Sequence, residues 1–274
     1  MNIRLPQLYF SKLLRAVVEF DMIKNGDRIL IGVSGGKDSI FLSYAMAVLR
    51  ERLHKDFQLH ALTINPMFTD TATGQPAPFD TERIRTFMQS LNIPYDVIDV
   101  DIAGAIVDQQ DKSPCFTCAF FRRGAVNRYA KEHGMNKIAY AHHNDDAVET
   151  FVMGLLYSGQ LSTFTPNTYL DRTGLTVIRP LIYFREQETR DAVKYHGFRP
   201  VPSPCPHDGY TSRQTVKELI AKLCHKDPSV YDHLAAAMRQ GAVGQLWPAA
   251  KTRKEMRDTY FHYMKCAGPQ KSGL

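Results

Sequence analysis

The sequence predicts an α/β protein: a doubly wound, mainly parallel five-stranded sheet, preceded by an N-terminal helix and followed by a helical, basic C-terminal extension. Three observations predict it. Short apolar, β-branched runs alternate with stretches of helical periodicity. No tight hairpin signal separates consecutive runs, so each strand is joined to the next through a helix. The first run, residues 28–33, passes directly into Ser34-Gly35-Gly36-Lys37-Asp38-Ser39, a polar turn where a helix begins.

Taken in order, residues 5–23 place Leu8, Phe10, Leu13, Leu14, Val17, Val18 and Met22 at helical spacing with Lys12, Arg15 and Glu19 between them, an amphipathic helix packed across the sheet. The first strand is apolar at both alternate sets of positions (Ile29, Leu30, Ile31, Val33), as a strand covered on both faces must be. Its helix, residues 39–53, carries Phe41, Leu42, Ala45, Met46 and Leu49. Strands are expected at 57–65, 95–102, 137–142 and 176–182, and helices at 80–91, 145–157 and 185–196, with a Thr/Gly/Pro-rich loop at 66–78. Residues 211–223 and 229–238 read as helices, and 251–265 as a charged, aromatic one. The expected organisation is an N-terminal helix (1–25), a nucleotide-binding domain (26–200) and a cysteine loop with the helical extension (201–274).

Composition narrows the function classes. A chain of 274 residues with 44% hydrophobic content can bury a full core. No apolar run reaches the ~20 residues of a membrane span, and no secretory h-region stands at the start, so a cytoplasmic protein with no membrane partner is expected. A net charge of +6 suits a polyanionic partner, and residues 226–274 alone hold eight Lys/Arg against four Asp/Glu. Five cysteines in such a chain form no disulfide framework, so their spacing reads as metal or redox chemistry.

The hexapeptide 34–39 is built for an anion. Two glycines remove the Cβ atoms that would hold a phosphate away from backbone N–H groups, Ser34 and Ser39 add hydroxyl donors, and the helix N-terminus adds free N–H groups and a positive dipole end. Lys37 supplies charge to a polyphosphate, while Asp38 is suited to a Mg2+ ion bridging it. The spacing does not fit GxxxxGK[ST]. It is similar to the PP-loop of ATP pyrophosphatases, which cleave ATP between the α and β phosphates and adenylate a substrate.

Two further groups carry chemistry. Cys115 and Cys118 form a CxxC, and Cys205 follows far downstream. Three thiolates suit a [4Fe-4S] cluster with one open iron; a Zn2+ site completed by His207 and a metal-free redox pair are the alternatives. Cys224 and Cys266 read as incidental. His142-His143-Asn144-Asp145-Asp146 follows a strand end, where Asp145 is placed for Mg2+ and catalysis or, with Asn144, for helix capping.

Together, SGGKDS, the CxxC with its Arg122-Arg123-Gly124 helix, HHNDD with Glu149-Thr150, VIRPL at 177–181 and Cys205 after a proline resemble the tRNA 2-thiocytidine synthetase family, TtcA, over about residues 12–223. The resemblance implies a PP-loop ATP pyrophosphatase fold and ATP-dependent exchange of the C2 oxygen of cytidine 32 in tRNA for sulfur. It implies a [4Fe-4S] cluster on Cys115, Cys118 and Cys205, and an ATP site at Ser34, Gly35, Gly36, Lys37, Asp38 and Ser39. Related thiouridine synthetases carry an important basic residue four positions after the second cysteine, here Arg122. Expected catalytic residues are thus Lys37, Asp38, Arg122 and Asp145; expected partners are tRNA and a sulfur donor, a cysteine desulfurase or free sulfide. A homodimer is allowed, though no periodicity marks an interface. The chain departs from the family pattern at Asp208, where a second downstream cysteine is common. The alternatives are a PP-loop adenylating ligase with a structural zinc or redox-cysteine site, and a silent ATP- or tRNA-binding module.

Overall fold

A computed structural model of the chain describes residues 3–69, 73–108, 114–205, 212–239 and 252–258. The chain forms two units, Met1–Met238 and Arg239–Leu274. Of the second, a helix at 253–258 is described, within the stretch expected to be helical. His207, Asp208 and Cys266 lie outside the described residues.

The first unit is organised on six strands: β1 (Asp27–Gly32), β2 (Phe57–Asn65), β3 (Tyr95–Asp99), β4 (Lys137–Ala139), β5 (Asn167–Leu170) and β6 (Leu175–Ile178), in the order β3-β2-β1-β4-β6-β5. All pairings are parallel except that of β5 with β6. The expected mainly parallel sheet is present, with one strand more than the five expected. The addition is a hairpin: the amide of Gly174 donates to Leu170 O at 2.9 Å, and Gly174 itself takes the left-handed conformation at φ +70°. Asn167-Thr168-Tyr169-Leu170 has too little apolar character to stand out in the sequence, because an edge strand need not be buried on both faces.

The helices are α1 (Gln7–Glu19), α2 (Lys37–Arg52), α3 (Thr81–Ser90), α4 (Ile102–Asp108), α5 (Pro114–Glu132), α6 (Asn144–Met153), which continues into a π-helical turn (Gly154–Ser158), α7 (Glu186–Tyr195), α8 (Ser212–Lys226) and α9 (Ser229–Ala237). Alternation along β1 divides the core. Ile29 and Ile31 pack with Leu13, Phe41, Leu42, Ala45 and Phe184 on one face, while Leu30 packs with Leu62, Ile138 and Val126, Tyr129 and Ala130 of α5 on the other. Each fully buried Leu or Ile stabilises the fold by roughly 1.5–3 kcal/mol, which is why β1 tolerates no polar position between Ile29 and Ile31. A third apolar cluster joins α6 to α8 and α9 through Val148, Phe151, Val152, Val216, Ile220 and Tyr231.

Strand order fixes where a ligand sits. From β1 the chain winds outward through β2 to β3, then returns to place β4 on the other side of β1. The switch point is therefore the carboxyl edge between β1 and β4, where doubly wound sheets bind ligands. The loop 34–39 follows β1 there, and residues 140–146 follow β4.

Candidate active site

The loop 34–39 connects β1 to α2 as expected. Gly35 has φ +81°, and a Cβ there would lie 3.0 Å from Ile84 Cδ1 and 3.1 Å from Val201 Cβ. Glycine is required on both counts. Gly35→Ala is expected to cost about 1–2 kcal/mol for the left-handed conformation alone, a fall of about 2–8 °C in the melting temperature. Gly36 caps α2 without a side chain, so the first N–H groups of that helix meet no capping side chain. The Ser39 hydroxyl donates to Gly36 O at 2.9 Å and lies 3.3 Å from Ser34 Oγ, holding the loop closed on itself.

Lys37 and Asp38 are paired at 2.8 Å, and α7 supplies partners that no motif announced. Lys37 Nζ also lies 3.1 Å from Glu186, and the Thr189 hydroxyl donates to Asp38 Oδ1 at 2.6 Å. Burial opposes the charge on Lys37, yet the carboxylates of Asp38 and Glu186 outweigh it and hold its pKa above the ordinary lysine value. Glu186 is the hub of this corner, bound also by Arg190 at 2.7 Å and Lys217 at 2.5 Å. Burial would raise its pKa, but Lys217, Arg190 and Lys37 together drive it far below the usual carboxylate range. A carboxylate whose pKa falls on folding stabilises the protein above its unfolded pKa, and that contribution is lost as the pH falls. Glu186→Gln is accordingly expected to flatten the acid limb of stability against pH between about pH 5 and pH 3, read by thermal melting across that range. The sequence signal for both residues was their i, i+3 spacing on one face of α7.

At the start of α6 the cap is His143 rather than Asn144 or Asp145. The Asp146 amide donates to His143 Nδ1 at 3.3 Å, and Asp146 Oδ2 accepts from the His143 amide at 2.9 Å, closing a reciprocal box. Imidazole serves here because its unprotonated nitrogen is an acceptor. Asp145 faces α7 instead: Arg185 Nε approaches its two oxygens at 3.1 and 3.2 Å, and the Glu186 amide donates at 2.7 Å. Asp145 thus locks the start of α7, and with it Glu186 and Thr189, against the strand-end segment. Together with Glu149, Arg185, Lys217 and Tyr231 it lines a cleft next to this corner.

The CxxC does not lie in a turn between elements. It forms the first helical turn of α5, so Cys115 and Cys118, three residues apart, share one helix face. α5 lies between the carboxyl end of β3 and the amino end of β4 in the chain, and at 1.5 Å per residue it spans about 28 Å. Burial raises the Cys118 thiol pKa; Arg122, one turn further on, pulls it down, and Cys205 and Cys115 push it up again. Cys205 is thus close enough to Cys118 to act on it electrostatically. It is also tied to the nucleotide loop, for the amide of Val201, four residues upstream, donates to Gly35 O at 2.9 Å. Cys115, Cys118, Cys205 and Cys224 are all free thiols, the last on α8 against the third cluster. Among the described residues no three His, Cys, Asp or Glu side chains are drawn into a metal-holding group.

The loop 34–39 and Asp145 thus stand at the carboxyl edge of the sheet, and Cys205 follows four residues after a backbone bond to that loop. Among the described residues, five buried side-chain atoms lack a hydrogen-bond partner: Thr117 Oγ1, Arg122 Nε, His142 Nδ1, Arg179 Nε and His196 Nε2. Phe116 and Phe120 beside the cysteines are more than half exposed. No helix of the described residues is long and apolar enough to cross a membrane.

Comparison with known proteins gives the family and the fold. Residues 7–223 match the family model of the PP-loop domain. The chain is 32% identical over 219 residues to tRNA-cytidine(32) 2-sulfurtransferase 1 of Francisella philomiragia, covering 79% of this chain and 82% of that one. It is 36% identical over 234 residues to the tRNA-cytidine(32) 2-sulfurtransferase of Anaeromyxobacter dehalogenans, covering 83% and 78%. Among solved structures, the U34-tRNA thiolase NcsA from Methanococcus maripaludis, described with its [4Fe-4S] cluster, shares the fold with a TM-score of 0.66 at 21% identity, over 82% of this chain and 75% of that one. The chain belongs to the PP-loop family and, within it, to the tRNA-cytidine(32) 2-sulfurtransferases.

Proposed function

We propose that the protein replaces the C2 oxygen of cytidine 32 in tRNA with sulfur, in two steps on one sheet edge. The observation that carries this reading is the segment from Val201 to Cys205, which is hydrogen-bonded to the nucleotide loop at one end and acts electrostatically on Cys118 at the other.

In the first step the base oxygen attacks the α-phosphorus of ATP and pyrophosphate leaves. A carbonyl oxygen is a poor leaving group, and adenylation makes it part of AMP, which departs easily. The loop N–H groups and Lys37 stabilise charge on the pyrophosphate, and Thr189 holds Asp38 for a Mg2+ ion that the same phosphates would bring. Asp145 fixes α7 through Arg185 and the Glu186 amide, so Glu186 keeps Lys37 at the loop.

In the second step a sulfide adds to C2 and AMP leaves from the same carbon, with one proton released as the thiocarbonyl forms. Arg122 neutralises the negative charge that develops there. The chemistry of the donor set suits an iron-sulfur cluster: two thiols share one helix face, a third acts on the protonation of Cys118, and a cation stands one turn away. When bound, that cluster would supply an open coordination site that holds sulfide next to the base. The tRNA anticodon loop would be received by Phe116 and Phe120, whose exposed rings offer stacking surfaces beside Arg122 and Arg123. The sulfur comes from free sulfide, or from a cysteine desulfurase whose persulfide a thiol reductant releases as sulfide while being oxidised to a disulfide.

Anaerobic purification with iron and zinc quantification, followed by mass spectrometry of nucleosides after incubation with ATP, sulfide and tRNA, tests the reading. Iron and 2-thiocytidine are expected. Zinc in place of iron, with ATP turnover that does not depend on tRNA, would instead select an adenylating ligase with a structural metal.

A further inference from the structure

The outward face of α5 holds cations and aromatic rings but no carboxylate. From Pro114 to Lys131 the helix reads PCFTCAFFRRGAVNRYAK, with four cations, and its first acidic residue is Glu132 at the end. Phe116, Phe120, Arg123, Asn127 and Lys131 follow one another at intervals of three or four, so at 3.6 residues per turn they lie within about 80° around the axis. Arg128 flanks this stripe one turn before Lys131. Val126 and Tyr129 turn the other way and pack with the strands. Phe116 is 53% and Phe120 60% exposed, and Arg123, Arg128 and Lys131 are exposed as well. Among the described residues none of these three cations enters an ion pair, whereas the exposed Arg15, Lys24 and Arg83 each do.

Gly124 stands inside this face, one turn before Arg128. Glycine is less favourable than alanine within a helix, and its use is to let another group approach the backbone closely. A Cβ at Gly124 would meet nothing within 4 Å, so no neighbour in this chain requires the glycine. Cations interleaved with stacking rings fit a polyanion that also presents flat bases, which is RNA.

We propose that this face of α5 is the docking surface for the anticodon arm of the tRNA. Phe116 and Phe120 stack bases of the loop, and the stem backbone passes over Gly124 with its phosphates bonded by Arg123, Arg128 and Lys131. From Phe120 to Lys131 the helix rises about 16 Å, so the stem is followed along its length rather than touched at one point. This inference deepens the proposed function and rests on it.

The test measures binding of an anticodon stem-loop RNA to the full-length enzyme, prepared anaerobically, by fluorescence anisotropy over a series of salt concentrations, without ATP or sulfide. Arg128→Ala and Lys131→Ala are each expected to weaken binding and to lower the slope of log affinity against log salt by about one. Phe120→Ala is expected to weaken binding about fivefold or more with the slope unchanged, because stacking releases no counterions. Gly124→Gln separates docking from folding: glutamine is the better helix former, so the melting temperature should hold or rise while RNA binding weakens. Lys194→Ala removes an exposed cation from α7, which packs in the cluster on the opposite face of the sheet, and should keep the wild-type slope. Wild-type slopes in Arg128→Ala and Lys131→Ala, or an equal fall in Lys194→Ala, overturn the surface. A Gly124→Gln enzyme that binds RNA as tightly as the wild type overturns the approach over Gly124. A wild-type enzyme that binds no stem-loop overturns the proposed function, and the surface with it.

Discussion

Replacing Lys37 by alanine is expected to lower ATP cleavage by about 10²- to 10³-fold, the loss typical when one preorganised charge facing a developing anion is removed. The fold should survive the change. Lys37 is one of three cations on Glu186, and Arg190 and Lys217 remain to satisfy that carboxylate. The melting temperature therefore separates a catalytic effect from a structural one: a loss of rate with an unchanged transition places Lys37 on the phosphates. Release of [³²P]pyrophosphate is the direct readout. An unaltered rate in Lys37→Ala would mean that the loop 34–39 binds its anion through backbone N–H groups and the α2 dipole alone.

Cys118→Ala carries the second large effect. Its thiol is the one on whose protonation both Cys115 and Cys205 act. Removing it is expected to abolish bound iron, the visible absorbance of the cluster and tRNA thiolation together, while ATP binding at the loop persists. Cys115→Ala should behave alike. Cys224→Ala is expected to keep its full iron content, because that thiol sits on α8 against the third apolar cluster. Thiolation that persists in Cys118→Ala would assign sulfur delivery to another group.

Legibility in the sequence followed the range of the interactions involved. β1, its loop and α2 could be read because a buried strand, two glycines and a helix start are local properties. So could the neighbouring positions Lys37 and Asp38. What could not be read came from contacts across the chain. Thr189 reaches Asp38 over 151 positions, and Arg185 reaches Asp145 over 40. Neither carries a motif, because threonine and arginine near a helix start are ordinary in any sequence. The capping role of His143 was hidden for a different reason: Asn144 and Asp145 are the better caps by propensity, but Asn144 donates to Ile182 O and Asp145 is held by Arg185, leaving the imidazole to close the box. The cysteine pair was legible as a pair. That it opens a helix was not, because Pro114 marks a first helical position as readily as a turn.

The central claim is that the base oxygen is activated by ATP before sulfur arrives, and isotope transfer tests it most directly. A tRNA carrying ¹⁸O at C2 of the target cytidine is thiolated in one turnover, and the AMP produced is weighed by mass spectrometry. The ¹⁸O label is expected in the AMP phosphate, in amounts equal to the 2-thiocytidine formed. AMP without the label, with ¹⁸O recovered in water, would contradict adenylation of the base and with it the role assigned to the loop 34–39.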